Sequence, residues 1–358
     1  MTDITVSDTF HDVGGFGTKV TGIYGVLVAS NVAAWVWGLI AFHASPMLLS
    51  AAFLAYSLGL RHAFDADHIV AIDNVTRKLL QEGKRAIGVG LFFSLGHSTV
   101  VVAVALLIAL TSTLTHRYFA LKESGGVIGT SISAFFLFAI AAANVLVLIQ
   151  LCKALQLVNR GGHLVEADLD RTLARRGVLN RIYGRLFRLM GESWHMYPLG
   201  LLFGLGFDTA TEVGLLGISA SQASLSNWSI LVFPALFTAG MSLIDTTDGI
   251  LMLGAYGWAF VKPVRKLYYN LTVTFISVAA ALVIGGLEAL GLIGNKLGLG
   301  GYFWDAIGTI TDNFGTLGYA IVALFIISWF GSYLIYRAKL RDARPNAELD
   351  VVTVVEAR

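Results

Sequence analysis

The sequence predicts an all-α, polytopic integral membrane protein with about eight transmembrane helices, and two observations predict this fold class. First, 56% of the 358 residues are hydrophobic, only 13% are charged, and the mean hydropathy is +0.72, values outside the usual range of soluble domains. Second, apolar runs long enough to cross roughly 30 Å of hydrocarbon recur along the chain. These runs cover residues 20–42, 48–72, 86–110, 127–157, 196–222, 228–260, 268–292 and 315–337.

The residues before the first run do not resemble a secretory signal. Asp3, Asp8 and Asp12 precede the first basic residue, Lys19, whereas a signal peptide begins with a basic region. Residues 1–19 are therefore predicted to be a tail, and the first helix is expected to be retained.

Basic residues predict the orientation of the helices, because Lys and Arg are enriched in cytoplasmic loops. They cluster after the second, fourth, sixth and eighth runs, and the intervening loops hold only Arg117, Lys122 and Lys296. Both termini are therefore expected to be cytoplasmic. The predicted order is a cytoplasmic tail over 1–19, four helices over 20–157, a basic cytoplasmic loop over 158–195, four helices over 196–337 and a cytoplasmic tail over 338–358.

The basic loop does not predict a nucleic-acid partner. Its seven arginines are offset by Glu166, Asp168, Asp170 and Glu192, and leucine and isoleucine recur among these charges at roughly helical spacing. This pattern favours a short amphipathic helix on the inner face of the membrane.

The second run contains a polar cluster, RHAFDADH, inside otherwise apolar sequence. A charge at the bilayer centre costs about 2.5–3.5 kcal/mol on insertion scales. Arg61, Asp65 and Asp67 together would then cost roughly 8–10 kcal/mol unless they are paired or hydrated. The cluster therefore needs partners inside the membrane.

Helical geometry places the members of this cluster on different faces. Arg61, Asp65 and His68 share one face of a continuous helix, so Arg61 can pair with Asp65. Asp67 lies about 200° around the axis from Asp65. If His62, Asp67 and His68 serve one ion, the helix must unwind locally or the site must lie between several helices.

Three further runs bring ionisable residues into the membrane. The third carries His97 near its middle, within SLGHSTVV, and the sixth carries two acidic residues, Asp245 and Asp248, three positions apart. In the fifth run, glycine and acidic residues recur every four positions and so share a stripe, and such glycines let a neighbouring helix approach closely. These stripe residues are Gly200, Gly204, Asp208 and Glu212.

An interior rich in carboxylate and neutral imidazole favours a bound cation. Nitrogen and oxygen ligands without thiolate favour a borderline divalent metal, such as nickel, cobalt or zinc, over Mg²⁺ or Ca²⁺. The single cysteine, Cys152, excludes a thiolate-rich site within one chain. The alternative is that these polar groups only hold helices together, a role that does not require so many acidic and imidazole groups.

Four segments, RHAFDADHI, LGHSTVV, LGFDTATE and GMSLIDTTD, occur in this order between residues 61 and 248, and with them the sequence resembles the nickel/cobalt transporter family of eight-helix permeases. The resemblance implies metal recognition by His62, Asp67 and His68, which match that family's HxxxxDH pattern, and an influence of His97 on which metal is accepted. Asp65, in the same cluster, is a further candidate ligand. The candidate path residues or additional ligands are Arg61, Asp208, Thr209, Glu212, Asp245 and Asp248.

A short internal similarity suggests how the helices are arranged. FDADH at 64–68 echoes FDTAT at 207–211, in helices that run in opposite directions on the predicted topology. Inverted repeats around a midplane site are common in secondary transporters, and an inverted repeat is therefore a prediction for this chain.

The predicted function is a secondary transporter that imports divalent nickel, cobalt or both by alternating access. No GxxxxGK[ST] phosphate loop occurs, so membrane potential, protons or both are the expected driving force. The predicted partners are the transported ion and the lipid bilayer, with no resident cofactor. The alternatives are a membrane subunit of a multi-component importer, an exporter, or an intramembrane metalloenzyme, although neither HExxH nor GxSxG is present.

Overall fold

The structure is a computed structural model that describes residues 13–84, 86–110, 115–159, 191–205, 227–259 and 263–342. Within these ranges the chain forms helices and no strand, which confirms the all-α prediction for them. The helices are α1 (Val13–Phe42), α2 (Pro46–His62), α3 (Ala66–Gln81), α4 (Val89–Leu110), α5 (Thr115–Asn159), α6 (Met196–Gly204), α7 (Val232–Ala259), α8 (Pro263–Leu297), α9 (Tyr302–Thr311) and α10 (Phe314–Asp342). Short 3₁₀ turns, Ser193–His195 and Asn227–Leu231, precede α6 and α7.

Several of these helices are long and apolar enough to cross a membrane. Five of them, α1, α4, α5, α7 and α8, each contain such an unbroken span. The pairs α2–α3 and α9–α10 are bent by 50° and 69° and would each add a broken span, so the described residues give five to seven candidate spans. The membrane-protein class is confirmed at this level of detail.

Some sequence predictions lie outside the described residues. The predicted fifth helix, 196–222, is described only as α6 and the residue that follows it. Its motif residues Asp208, Thr209 and Glu212, and the internal echo at 207–211, are not described. The same is true of most of the basic loop, over 160–190.

The prediction of one continuous helix over 48–72 is wrong, because α2 ends at His62 and α3 begins at Ala66. Asp65 is the N-cap of α3, with an extended backbone (φ −64°, ψ 142°), and aspartate is among the preferred N-cap residues. Its carbonyl oxygen accepts a hydrogen bond of 3.2 Å from the Ile69 N–H. The predicted shared helical face of Arg61 and Asp65 therefore does not exist.

Helix α7 lies at the centre of the bundle and packs against α1, α2, α3 and α4. Helix α3 is buried along nearly its whole length. Helix α10 covers the break before α3, where Gly318 lies so close to the Phe64 carbonyl oxygen that no side chain would fit. Large apolar side chains such as Ile40 and Phe135 are exposed on the outside of the bundle, where lipid would cover them.

The prediction that Gly200 and Gly204 allow close helix approach is confirmed. A Cβ atom at Gly200 would overlap the Phe93 carbonyl oxygen, and one at Gly204 would lie 2.8 Å from the His97 carbonyl oxygen. The two glycines therefore seat α6 directly against the α4 backbone around His97, which fixes the position of that histidine.

Candidate metal site

The break between α2 and α3 brings two imidazoles together. His62 is the last residue of α2, and His68 lies in the first turn of α3. In an unbroken helix, residues six positions apart would be separated by about 9 Å along the axis and would point in different directions. Across the break, the ring centroids of His62 and His68 are 4.6 Å apart. The predicted second helix is therefore unwound between His62 and His68, as a site shared by these two residues requires.

His97 of α4 adds a third imidazole. Its ring centroid lies 4.8 Å from those of both His62 and His68, and its Nε2 lies 3.1 Å from the Nε2 of His62. One ligand nitrogen from each ring lies within 4.8 Å of the others. Metal–nitrogen bonds of about 2.0–2.1 Å place two nitrogens on one ion roughly 3.0–3.4 Å apart. Small side-chain adjustments would therefore let the three rings share one ion.

Carboxylates contact the other nitrogen of two of these rings. Oδ2 of Asp65 lies 2.6 Å from Nδ1 of His62, and both carboxylate oxygens of Asp245 lie 3.4 Å from Nδ1 of His68. Nε2 of His68 is buried and has no hydrogen-bond partner among the described residues. A carboxylate on one ring nitrogen fixes the tautomer and orientation of a metal-ligating histidine. Nε2 is therefore the metal-binding atom expected of both rings.

A cavity of about 1160 Å³ reaches this cluster. His62, Asp67 and His97 line its wall, whereas His68 and Asp245 have no solvent-exposed surface. Most of the remaining lining comes from the C-terminal end of α8, the N-terminal half of α5 and the region of α9 and its corner with α10. The cavity therefore gives an ion a route to the imidazoles.

The charges on the cavity wall favour a cation. Five carboxylates and two basic side chains line it, and a cleft lined mainly by one sign of charge raises the local concentration of counter-ions. The carboxylates are those of Asp65, Asp67, Glu288, Asp305 and Asp312, and the basic side chains are those of Arg61 and Lys296.

The remaining predicted residues have separate positions. Arg61 lines the cavity, and its side chain and that of Asp65 both lie beside Gly315 of α10. The ion pair of Asp65 is with His62. Asp248 lies one helical turn beyond Asp245 on α7, and its Oδ2 is buried without a hydrogen-bond partner among the described residues.

A second group of buried polar residues, which the sequence pattern does not indicate, lies further along α3. Ser277 donates a 2.7 Å hydrogen bond to Asp73, and Arg77 donates a 2.8 Å hydrogen bond to Asn74. These α3 residues follow His68 by five to nine positions, which is about 8–14 Å along a helix axis. The predicted run ended at residue 72, because the polar residues that follow it suggested a loop.

Glu288 of α8 was also missed. It is the single acidic residue in the apolar run 268–292, and that isolation was the signal that could have identified it. Its side chain is buried and lines the cavity.

Comparisons with known proteins agree with a metal-transport reading. A family model described as high-affinity nickel-transport protein matches residues 48–335. A high-affinity nickel transport protein of Cupriavidus necator is 56% identical over 90% of this chain and 93% of its own length. The nickel transporter NicT of Mycobacterium tuberculosis is 46% identical, over 88% of this chain and 87% of its own length. The cobalt transport protein NhlF of Rhodococcus rhodochrous is 39% identical, over 95% of this chain and 99% of its own length. No solved structure matches this chain.

Proposed function

The chain belongs to the high-affinity nickel-transport protein family, and we propose that it imports nickel, cobalt or both across the cytoplasmic membrane as a secondary transporter. The observation that carries this proposal is the convergence of His62, His68 and His97, from three helices, beside a cavity with an excess of carboxylates. Imidazole ligands suit both metals, and relatives of this chain are named for nickel and for cobalt.

Each residue of the site has a specific role in this mechanism. Nε2 of His62 and Nε2 of His97 receive the ion from the cavity, and Nε2 of His68 joins them from the buried side. Asp65 and Asp245 hold the rings of His62 and His68 through their Nδ1 atoms. Such partners typically account for about 10–100-fold of metal affinity.

The proposed topology has eight spans and both termini in the cytoplasm. Seven spans correspond to the unbroken helices and bent pairs, and the apolar run 196–222 supplies the eighth. The basic residues set the orientation. With this topology, the end of α8, the start of α5 and the α9–α10 corner all lie toward the outside. The cavity that they line is then the outer entrance to the metal site.

In this arrangement, described residues of α3 and α8 pack closely on the cytoplasmic side of the site. Asp73, Asn74, Arg77 and Ser277 are buried on that side, and their hydrogen bonds join α3 to α8 and Asn74 to Arg77. Alternating access requires these contacts to separate once the ion is bound. The proposed inner path uses Asp248 and the motif residues Asp208, Thr209 and Glu212.

The membrane potential is sufficient to drive this import. Moving one charge through 100 mV releases about 2.3 kcal/mol, so a divalent ion gains about 4.6 kcal/mol. This energy corresponds to roughly a thousandfold accumulation at 1.4 kcal/mol per tenfold change. Protons displaced from the histidines and carboxylates by the metal offer a second source of coupling.

Uptake of trace labelled nickel by cells that express single-histidine variants tests the site. His62→Ala, His68→Ala and His97→Ala should each reduce uptake at least about tenfold, because each removes one metal ligand. His43→Ala is the matched control, because His43 is exposed and its Nδ1 bonds to the Ile40 carbonyl oxygen of its own helix end; it should retain parental uptake. Parental uptake by correctly inserted His62→Ala and His68→Ala variants would contradict the proposed site.

A further inference from the structure

Glu288 is a buried carboxylate, and only one of its two oxygens has a hydrogen-bond partner among the described residues. Its side chain lies on α8 and is 6% exposed. Oε1 accepts a 2.9 Å hydrogen bond from the Ser133 hydroxyl of α5, whereas Oε2 is buried without a partner among the described residues. Buried polar atoms in proteins nearly always have a hydrogen-bond partner, and an ionisable group within a membrane is costly. The free oxygen of Glu288 therefore points to a ligand.

Asp67 has a second unsatisfied oxygen and lines the same cavity. Its Oδ1 is buried without a hydrogen-bond partner among the described residues, and both carboxylates line the cavity wall. Within the described part of the chain, neither forms an ion pair with a basic side chain. Two carboxylates on one cavity wall without a counter-charge are stabilised by a cation.

The chemistry of this pair differs from that of the three imidazoles. Carboxylate oxygens are hard ligands and suit a divalent cation that keeps part of its water shell. A cavity of about 1160 Å³ accommodates such a hydrated ion, because one water occupies only about 30 Å³ of liquid volume. The imidazoles, in contrast, require a dehydrated ion within about 2.0–2.1 Å of each nitrogen.

We propose that Glu288 and Asp67 form a second, oxygen-ligand cation site in the cavity, which holds a partly hydrated divalent cation next to the three-histidine site. Its place in transport, as the site that loads the imidazoles, rests on the proposed function. Binding at the site is independent of transport and can be measured separately.

Manganese binding to the purified full chain tests the site directly. Mn²⁺ prefers oxygen ligands and loses its free-ion electron paramagnetic resonance signal when bound. In a His62→Ala/His97→Ala background, which disables the imidazole site, one Mn²⁺ should still bind. Adding Glu288→Gln, which keeps the size of the side chain but removes its charge, should weaken that binding at least about tenfold.

Two control variants separate ligation from other effects. Ser133→Ala removes the hydrogen bond to Oε1 of Glu288 and keeps the carboxylate. If Glu288 acted only by joining α5 to α8, Ser133→Ala and Glu288→Gln would weaken Mn²⁺ binding equally. Asp305→Asn removes a different, exposed carboxylate from the same cavity wall, and so reports the general effect of charge. Both should leave Mn²⁺ affinity within about twofold, because neither removes a proposed ligand. If Glu288→Gln does not fold, Asp67→Asn replaces it with the same expected loss.

The proposal would be overturned if Glu288→Gln did not change the Mn²⁺ affinity. It would also be overturned if Asp305→Asn or Ser133→Ala lowered that affinity as much as Glu288→Gln does. In cells, Glu288→Gln should raise the KM for nickel uptake while the maximal rate stays close to the parental rate, unlike His62→Ala. Mn²⁺ binding that depends on Glu288 in a chain that transports no nickel would refute the proposed function and leave the site intact.

Discussion

Both ring nitrogens of His62 have close partners. Nδ1 lies 2.6 Å from Oδ2 of Asp65, and Nε2 lies 3.1 Å from Nε2 of His97. Two imidazole nitrogens can approach this closely only when at least one of them carries a proton, and a metal ion must displace that proton. Asp65 keeps Nδ1 of His62 as the donor, so in the neutral ring Nε2 of His62 is the acceptor, and the proton in this contact belongs to Nε2 of His97. Asp65 is thus better explained as a positioning residue than as a ligand.

Asp65→Asn tests this role at the scale of a single residue. The substitution removes the negative charge that holds the His62 ring and leaves the side-chain volume nearly unchanged, so the KM for nickel uptake should rise about 10–100-fold. Asp312→Asn is the control, because it removes a carboxylate from the cavity wall that lies outside the histidine cluster; it should change KM by less than about threefold, since no ring loses a partner. An unchanged KM in Asp65→Asn would exclude Asp65 as an orienting partner.

At the scale of the helices, the site depends on one break and one close contact. The break at Asp65 turns the chain so that His62 and His68 face each other, and the seat of α6 on α4 at Gly200 fixes the backbone next to His97. Neither feature tolerates much change, because a Cβ atom at Gly200 would overlap the Phe93 carbonyl oxygen and one at Gly318 would overlap the Phe64 carbonyl oxygen beside the break. The three rings can therefore be kept in position before the ion arrives.

Gly200→Ala and Gly286→Ala form a matched pair that tests the helix contact. The first adds a methyl group against the Phe93 carbonyl oxygen, and the second adds one where nothing lies within 4 Å. Gly200→Ala should destabilise the protein by about 1–3 kcal/mol, as overpacking does, whereas Gly286→Ala should be neutral or stabilise α8 by up to about 1 kcal/mol. Thermal unfolding of the purified variants measures both. Equal midpoints would show that α6 does not rest on α4 as described.

Helical periodicity predicted some of these elements and obscured others. The four-residue spacing of Gly200 and Gly204 identified a close contact, because that spacing is a property of one helix. The same periodicity predicted one continuous helix over 48–72, with Arg61 and Asp65 on one face. Asp65 precedes an apolar run, however, and this position is typical of a helix N-cap. The pairing of Asp65 with His62 joins residues three positions apart, whereas the pairing of Asp245 with His68 depends on how two helices meet, which no local pattern encodes. Glu288 could be identified as the single charge in its run, but its hydrogen-bond partner Ser133 lies on another helix.

For the whole molecule, the asymmetry between the two sides of the metal site is the main functional feature. On one side, a cavity lined by five carboxylates and two basic side chains gives access to His62 and His97. On the other side, Asp73, Asn74 and Arg77 are buried within the bundle. Under the proposed orientation the cavity opens toward the outside, and in the part of the chain that the structure describes these buried residues lie on the cytoplasmic side.

Reconstitution of the purified chain in liposomes tests the central claim most directly, since it requires this chain alone to carry the metal through the three-histidine site. With an imposed potential that is negative inside, trace labelled nickel should accumulate in vesicles that contain the parental chain or His43→Ala. Vesicles with His62→Ala or His97→Ala should accumulate at least about tenfold less. Excess cobalt outside should suppress the parental signal, because both ions compete for the same imidazoles. Accumulation by the histidine variants equal to that of the parent, or none by the parental chain at any potential, would contradict the account.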